Sequence, residues 1–331
     1  MTTMQDVANR VGVSAKTVSR VFKGDEHVSE ETRSRVMAAM EALNYVPNMM
    51  ARTFREGRAS VIGVAVPDIG DPFFAAVIRA IDQEAKAHNM AIAVTSLGDD
   101  PDRERRTVEA LLGLQINGLI IAPISSNQAY LARWLTRAPA VFIDRGPSNL
   151  VADSFVEDDS GAAEEAILHL YSRGHRRIAF IGDETRIITS DLRLRGYRRA
   201  FEKIGVGVDE ELIALGPTTE AERIVTELLG MQDPPSAIFS SNARTSLVVF
   251  PALQNLKRTD VALVSFGDFE MAASLQPSVT VLDQNPERLG REAAQRLFVR
   301  FEHPGRRLKR RNVLPVKLIE RASSAPRSPV L

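Results

Sequence analysis

From Ser60 onward the chain repeats one pattern: a short β-rich apolar run, a turn, and a longer amphipathic stretch. The first round has the runs SVIGVAV (60–66), MAIAVTS (90–96), GLIIAP (118–123) and AVFID (140–144). Between them the spacing predicts helices from Pro72 to about His88, over about Asp102–Gln115, and near Ala129–Thr136. The alternation restarts after Asp159 with a helix to about Arg173, then RIAFIG (177–182) and a helix to about Ile204. It continues with a helix near Glu220–Leu229, SAIFS (236–240), a helix near Ser246–Leu256, and VALVSF (261–266). Near-continuous apolar strands belong to parallel sheets covered on both faces. Strand–helix alternation belongs to doubly wound α/β architecture. Two successive rounds predict two similar subdomains with a cleft between them. Ligands of such sheets bind beyond the carboxyl ends of the strands. The sequence places Asp71, Asp144, Arg145, Asn242 and Gln284 there.

Residues 1–46 follow a different rule and read as three helices. Thr3 with Asp6 makes a capping-box pattern, and Met4, Val7, Ala8 and Val11 then share a face. Gly12 ends that helix. Ser14 is a good N-cap for a second helix with Val18, Val21 and Phe22 inward, and Gly24 ends it. Ser29 caps a third, with Val36, Met40 and Leu43 inward. Two short helices joined by a tight glycine turn form a helix-turn-helix pattern. The outward residues of the second helix are Ala15, Lys16, Ser19 and Arg20. Short polar and basic side chains on one face suit major-groove reading, because Arg or Lys reaches guanine O6 and N7 and hydroxyls take phosphates. The chain has a formal net charge of zero, so any basic footprint is local; here Arg10, Lys16, Arg20 and Lys23 outweigh Asp6 and Asp25. On pattern alone, a three-helix bundle with a solvated basic face remains open.

Several function classes are disfavoured. The chain has 331 residues, enough for roughly two domains, and no cysteine, which removes disulfides, thiolate catalysis and thiolate zinc sites. MTTMQDVANR has no apolar signal core, and no run of about 18 apolar residues suggests a membrane span. A cytoplasmic location is expected. HExxH, GxSxG and P-loop patterns are absent, and GVGVDE (205–210) follows a helix where a dinucleotide fingerprint needs a strand. The five histidines show no metal spacing. Glu157, Asp158 and Asp159 precede a helix, where acids suit the dipole. RRLKRR (306–311) is expected in a loop before the last strand, NVLPVKL (312–318). Neither enzyme activity, cofactor nor metal is expected. The tail 321–331 reads as disordered.

Taken in order, DVANRVGVSAKTVSRVFKG, VSEETRSRVMAAMEALNYVPN, IGVAVPDIGDPFF, VFIDR, GHRRIAFIG and DLRLRGYRRAF resemble the lactose repressor (LacI) family over about residues 2–320. The resemblance implies an N-terminal helix-turn-helix domain (1–46), a hinge helix and linker (47–58), and a periplasmic-binding-protein-like body (59–320). The body would comprise 59–158 with 285–320, and 159–284. In the family the hinge, here YVPNMMARTF and Arg55, folds when two subunits lie side by side on DNA; so short a helix is not stable alone in water. Asn48 would cap it, Ala51 would allow close approach, and Arg52 or Arg55 would take phosphates. Phe54 stands where the family usually inserts leucine into the central base step, and phenylalanine also serves as such a wedge. Base reading would fall to Ala15, Lys16 and Arg20, with Ser14, Thr17, Ser19 and Asn48 positioning the backbone. The implied protein is a repressor that binds pseudo-palindromic operator DNA as a homodimer, since the tail lacks the lactose repressor's tetramerisation heptads.

The resemblance also implies a carbohydrate-like effector. Asp71, Phe73, Phe74, Asp144, Arg145, Arg193, Asn242 and Gln284 match the family's ligand-contacting places. Carboxylates and arginines clamp hydroxyls, and aromatics cover an apolar sugar face. Other readings stay open: Phe73 and Phe74 as core, Asp144 and Arg145 paired with each other, Arg193 as a surface charge. Two departures bear on the sugar. The family's AND is Ser241-Asn242-Ala243 here, and a usual aspartate is Gly267, with Asp268 as the nearest substitute. A solute-binding protein of the same body fold is the alternative function; the helical head speaks against it.

Overall fold

The computed structural model describes residues 3–22, 25–43, 45, 60–183 and 187–325. The chain divides into two compact units, Met1–Ala59 and Ser60–Leu331.

The first unit contains α1 (Met4–Val11), α2 (Ala15–Phe22) and α3 (Glu30–Ala42). The capping box forms: Asp6 N donates to Thr3 Oγ1 (3.2 Å), and Thr3 N donates to Asp6 Oδ2 (2.7 Å). Gly12 ends α1 at φ +74°, a left-handed conformation natural to glycine. Ser14 Oγ accepts from Thr17 N (3.1 Å) and so caps α2. Val7, Ala8, Val11, Val18, Val21, Val36, Ala39 and Met40 form the core. Phe22, expected inward, is 40% exposed; Val18 and Val21 already fill the seam, and α2 ends at Phe22. The expected stop at Gly24 lies outside the described residues.

The second unit has two six-stranded sheets, β11-β5-β4-β3-β1-β2 and β12-β10-β9-β8-β6-β7. The first uses β1 (Val61–Val66), β2 (Ala91–Ser96), β3 (Gly118–Ile121), β4 (Ala140–Ile143), β5 (Asp153–Glu157) and β11 (Arg311–Leu314). The second uses β6 (Ile178–Gly182), β7 (Ile213–Leu215), β8 (Ala237–Ser240), β9 (Ala262–Phe266), β10 (Thr280–Asp283) and β12 (Lys317–Ile319). All pairs are parallel except β10 with β12. The helices are α4 (Pro72–Ala87), α5 (Pro101–Gly113), α6 (Asp159–Ser172), α7 (Ile188–Ile204), α8 (Ala221–Leu229), α9 (Ala243–Asn255) and α10 (Pro286–Glu302). This is the expected pair of doubly wound layers. Glycine lets two helix pairs approach closely: a Cβ at Gly290 would collide with the Val77 carbonyl, and one at Gly196 with the Ser160 carbonyl.

Four expectations need correction. The segment 129–136 is no α-helix: it has one 3₁₀ turn, Ala129–Leu131, followed by tight turns. Its neighbours explain this, because Gln128 Nε2 donates to Ser125 O (2.6 Å) and Tyr130 Oη to Glu104 Oε1 (2.9 Å), which fix a turn geometry. The last strand is really two strands, one in each sheet. Pro315 separates them; lacking an N–H, it cannot continue a ladder, and the chain crosses over there. Residues 317–319 therefore belong with the second sheet, although 285–320 was expected with the first. The tail is ordered at its start. Ser323 and Ser324 are buried, Thr280 N donates to Ser323 Oγ (2.8 Å), and Ser323 Oγ donates to Leu263 O (2.5 Å). Those bonds tie Arg321–Ala325 to the start of β10 and to β9.

Candidate functional site

The carboxyl ends of strands from both sheets open onto one cavity of about 500 Å³. From the first sheet's side it is lined by Asp71, Phe73, Phe74, Asp144 and Arg145. Asp71 caps α4, its Oδ1 accepting from Phe73 N (2.9 Å). Burial raises its pKa, and that backbone bond works against the rise. Phe73 is half-buried and Phe74 buried, and the rings meet edge to face at 5.1 Å. Phe74 belongs to the core and to the cavity wall at once. Asp144 follows β4 at φ +62°, which turns it inward, and it is 5% exposed. Arg145 Nε lies 3.1 Å from Asp144 Oδ2, and its Nη1 donates to Pro123 O (3.1 Å). The two side chains are thus paired with each other and face the cavity together.

From the second sheet's side come Arg193, Asn242 and Gln284. Arg193 is not a surface charge. Its Nε donates to Asp159 Oδ1 (2.7 Å), its Nη1 to Ser241 O (2.7 Å), and its guanidinium lies 3.8 Å over the Phe266 ring. Asn242 caps α9: Oδ1 accepts from Thr245 N (2.8 Å) and Nδ2 donates to Asp183 Oδ2 (2.8 Å). Gln284 is buried, and a Cβ at Gly267 would lie 3.1 Å from its Oε1. Gly267 has φ +93°, where any side chain is strained.

Asp268 is the effector candidate that the structure removes. It does not line the cavity. Arg321 Nη2 and Nη1 donate to its two carboxylate oxygens at 2.7 and 3.1 Å. The left-handed turn at Gly267 sends the next side chain toward the chain's end, where the arginine holds it.

In the head, Ser14 and Lys16 are exposed, while Ala15, Thr17, Ser19 and Arg20 are half-buried. Ala15 packs partly on the core cluster. Arg20 Nε donates to Asp25 Oδ2 (2.8 Å), and its Nη2 lies 3.4 Å from Oδ1. The hinge candidates Asn48, Ala51, Arg52, Phe54 and Arg55 lie outside the described residues.

Residues 3–48 match "Bacterial regulatory proteins, lacI family", and residues 167–324 match "Periplasmic binding protein-like domain". A relative from Paenibacillus polymyxa described as "Probable HTH-type transcriptional regulator EndR" is 30% identical over 91% of this chain and 91% of its own length. The chain belongs to the lacI family of bacterial regulatory proteins. The ribose operon repressor of Escherichia coli K12, 28% identical, covers 98% of this lacI-family chain and 100% of its own. The crystal structure of the lac repressor dimer bound to operator and the anti-inducer ONPF superimposes with a TM-score of 0.83 at 25% identity, over 98% of this chain and 99% of that one.

Several residues of this lacI-family cavity had no distinct sequence signal. Asp68, Asp99, Asp183, Thr189, Ser190, Thr218 and Arg244 line it from loops and helix starts. Asp159, expected at a helix start, is also the buried partner of Arg193, and burial pushes its carboxyl up to about 6 against the pull of that arginine. Glu157 ends β5 with 3% exposure, and neither carboxyl oxygen has a hydrogen-bond partner among the described residues. Burial, then Asp144 and Asp159, holds its pKa well above the ordinary range, with Arg193 opposing. Asp158 and Asp159 do stand at the start of α6, where Asp158 Oδ1 accepts from Gly161 N (3.0 Å).

Proposed function

We propose that this chain is a transcriptional repressor that binds pseudo-palindromic operator DNA as a homodimer and is controlled by a small carbohydrate-like effector. One observation carries the reading: a lacI-family helix-turn-helix is joined, over nearly the whole length of known repressors, to a body with a ligand-sized cavity lined by charged and aromatic side chains. Ser14, Thr17 and Ser19 position the backbone on DNA, and Ala15, Lys16 and Arg20 read bases. Residues 47–58 form the hinge, in which Asn48, Ala51, Arg52 and Arg55 support the Phe54 wedge. Asp71, Phe73, Phe74, Asp144, Arg145, Arg193, Asn242 and Gln284 hold the effector. A two-fold dimer demands matching half-sites. Effector binding closes the cleft, shifts the population of body conformations and changes the spacing of the paired hinges. The chemistry is one of binding, with no step of catalysis.

The test is selection of bound duplexes from a random pool at a fixed, near-physiological salt concentration, because affinity for DNA falls steeply with salt. A pseudo-palindrome is the expected product. It then serves as the probe for a panel of mono- and disaccharides, of which at least one changes its affinity. Recovery of unrelated sequences with retained sugar binding would favour a solute-binding protein instead.

Two variants dissect the DNA contacts. Arg20→Ala is expected to cost about 1–3 kcal/mol on the selected site and to relax selectivity at one base position per half-site. Repeating the selection with the variant checks it; an unchanged sequence preference would remove the base-reading role. Phe54→Ala is expected to reduce the bend of the selected duplex and to weaken specific binding. Circular-permutation mobility or energy transfer across the site measures that bend, and an unchanged angle would end the wedge assignment.

A further inference from the structure

The Arg20–Asp25 pair sits on the outer face of the head, with side-chain exposures of 43% and 29%. An ion pair so exposed contributes little to stability. It is nevertheless built with care. Asp25 N donates to Arg20 O (3.1 Å), and the Asp25 carbonyl accepts from Arg33 Nη2 (2.8 Å). Asp25 Oδ1 accepts from His27 N (3.0 Å), with His27 Nδ1 also 3.1 Å away. These bonds fix the carboxylate before any partner arrives. Its bonds to Arg20 and His27 hold Asp25 well below the usual carboxylate range, so it stays charged.

The pair engages one edge of the guanidinium. Asp25 takes Nε, at 2.8 Å, and one proton of Nη2, at 3.4 Å. Among the described residues, neither Nη1 nor the second Nη2 proton has an acceptor, so the end of the fork faces outward from the pair. Bidentate recognition of guanine O6 and N7 uses two parallel donors of such a fork. A free arginine loses much rotamer freedom on making that contact, and a pre-set fork loses less. We propose that Asp25 is a positioning residue for DNA reading: it fixes the Arg20 fork so that its outer edge meets one base. The inference rests on the reading of Arg20 as a base contact. It adds a residue in the turn after α2, outside the recognition helix, that sets selectivity without touching DNA.

The carboxylate is negative and lies beside the arginine read as the base contact, so it disfavours DNA in general. A purely structural or purely repulsive Asp25 would act alike on all sequences, whereas a positioning Asp25 acts on one position. Asp25→Asn keeps an oxygen to accept from His27 N and loses the charge pair with Arg20. Asp25→Ser guards against a local folding fault peculiar to the amide. In the full chain, both variants are expected to lose about tenfold in preference at the base position that Arg20→Ala relaxes, with binding to random duplex equal or higher. In an Arg20→Ala background, Asp25→Asn is expected to change that preference no further. Unchanged preference with uniformly tighter binding would show a plain repulsive charge and overturn the proposal. Uniformly weaker binding would show a role in the fold and overturn it too. If Arg20→Ala itself relaxes no position, the underlying reading fails, and that result is distinct from loss of effect in the Asp25 variants alone.

Discussion

Replacing Arg193 with methionine is expected to destabilise the body by about 3–5 kcal/mol, the usual cost of leaving a buried charge without its partner. Arg193 has 8% side-chain exposure and Asp159 1%. The substitution removes the Nε bond to Asp159, the Nη1 bond to Ser241 O and the stacking over Phe266 together. Methionine keeps much of the apolar stem, so the loss reports the charge and its hydrogen bonds more than a void. Asp159, already pushed to about 6 by burial, rises further when the arginine no longer opposes that burial. The folded state then holds that proton more tightly than in the wild type. Asp159→Asn in the same chain is expected to recover a large part of the loss, because replacing both members of a buried pair is often near neutral. Urea unfolding, followed at constant m-value, measures both steps. A single-variant loss below about 1 kcal/mol would mean that water from the cavity already solvates Asp159.

That pair shows where the sequence was readable and where it was not. The near-continuous apolar strands β1, β3, β4, β6, β8 and β9 announce themselves, because a strand buried on both faces leaves little room for polar residues. β5 is as fully buried but reads DSFVE, and its polar start is tolerated for reasons far away in sequence. Asp153 receives Arg300 Nε at 2.6 Å, and the backbone carbonyl of Ser154 accepts from Asn312 at 3.1 Å. No local periodicity carries that information. The last strands fail for a related reason. NVLPVKL is one apolar run with a proline in it, and only tertiary pairing decides that Pro315 marks a change of sheet.

The cavity was legible where a residue stands at a strand's end. Asp144, Arg145, Asn242 and Gln284 follow β4, β8 and β10, and they line the cavity as that position dictates. Asp268 also stands near a strand's end, yet it is lost to the cavity. Its direction depends on φ at Gly267, and its partner Arg321 lies 53 residues away in sequence. Backbone handedness and long-range pairing are the two things a pattern of residue types does not encode.

Glu157→Gln is expected to stabilise the protein at neutral pH and to leave it unchanged near pH 4. In the unfolded chain Glu157 ionises as pH passes its ordinary 4.5. In the folded chain burial, with Asp144 and Asp159 close by, keeps the proton on to well above that value. The folded state then binds more protons than the unfolded one, and stability falls with rising pH by about 1.4 kcal/mol per unit until the buried carboxyl itself ionises. Asp159 contributes a slope of the same sign only between 3.8 and about 6. His169, whose pKa burial lowers, contributes one of opposite sign. Both groups are present in wild type and variant, so to first order they cancel in the difference. Glutamine has nearly the glutamate shape and cannot ionise; the gain in stability therefore opens above about pH 4.5 and widens with rising pH until the buried carboxyl itself ionises. Urea titrations of both proteins at half-unit steps over that range measure it. Curves that run parallel would mean that the carboxylate is hydrated in the folded state, and a gain already present at pH 4 would mean that the amide has found a hydrogen bond the carboxyl lacks.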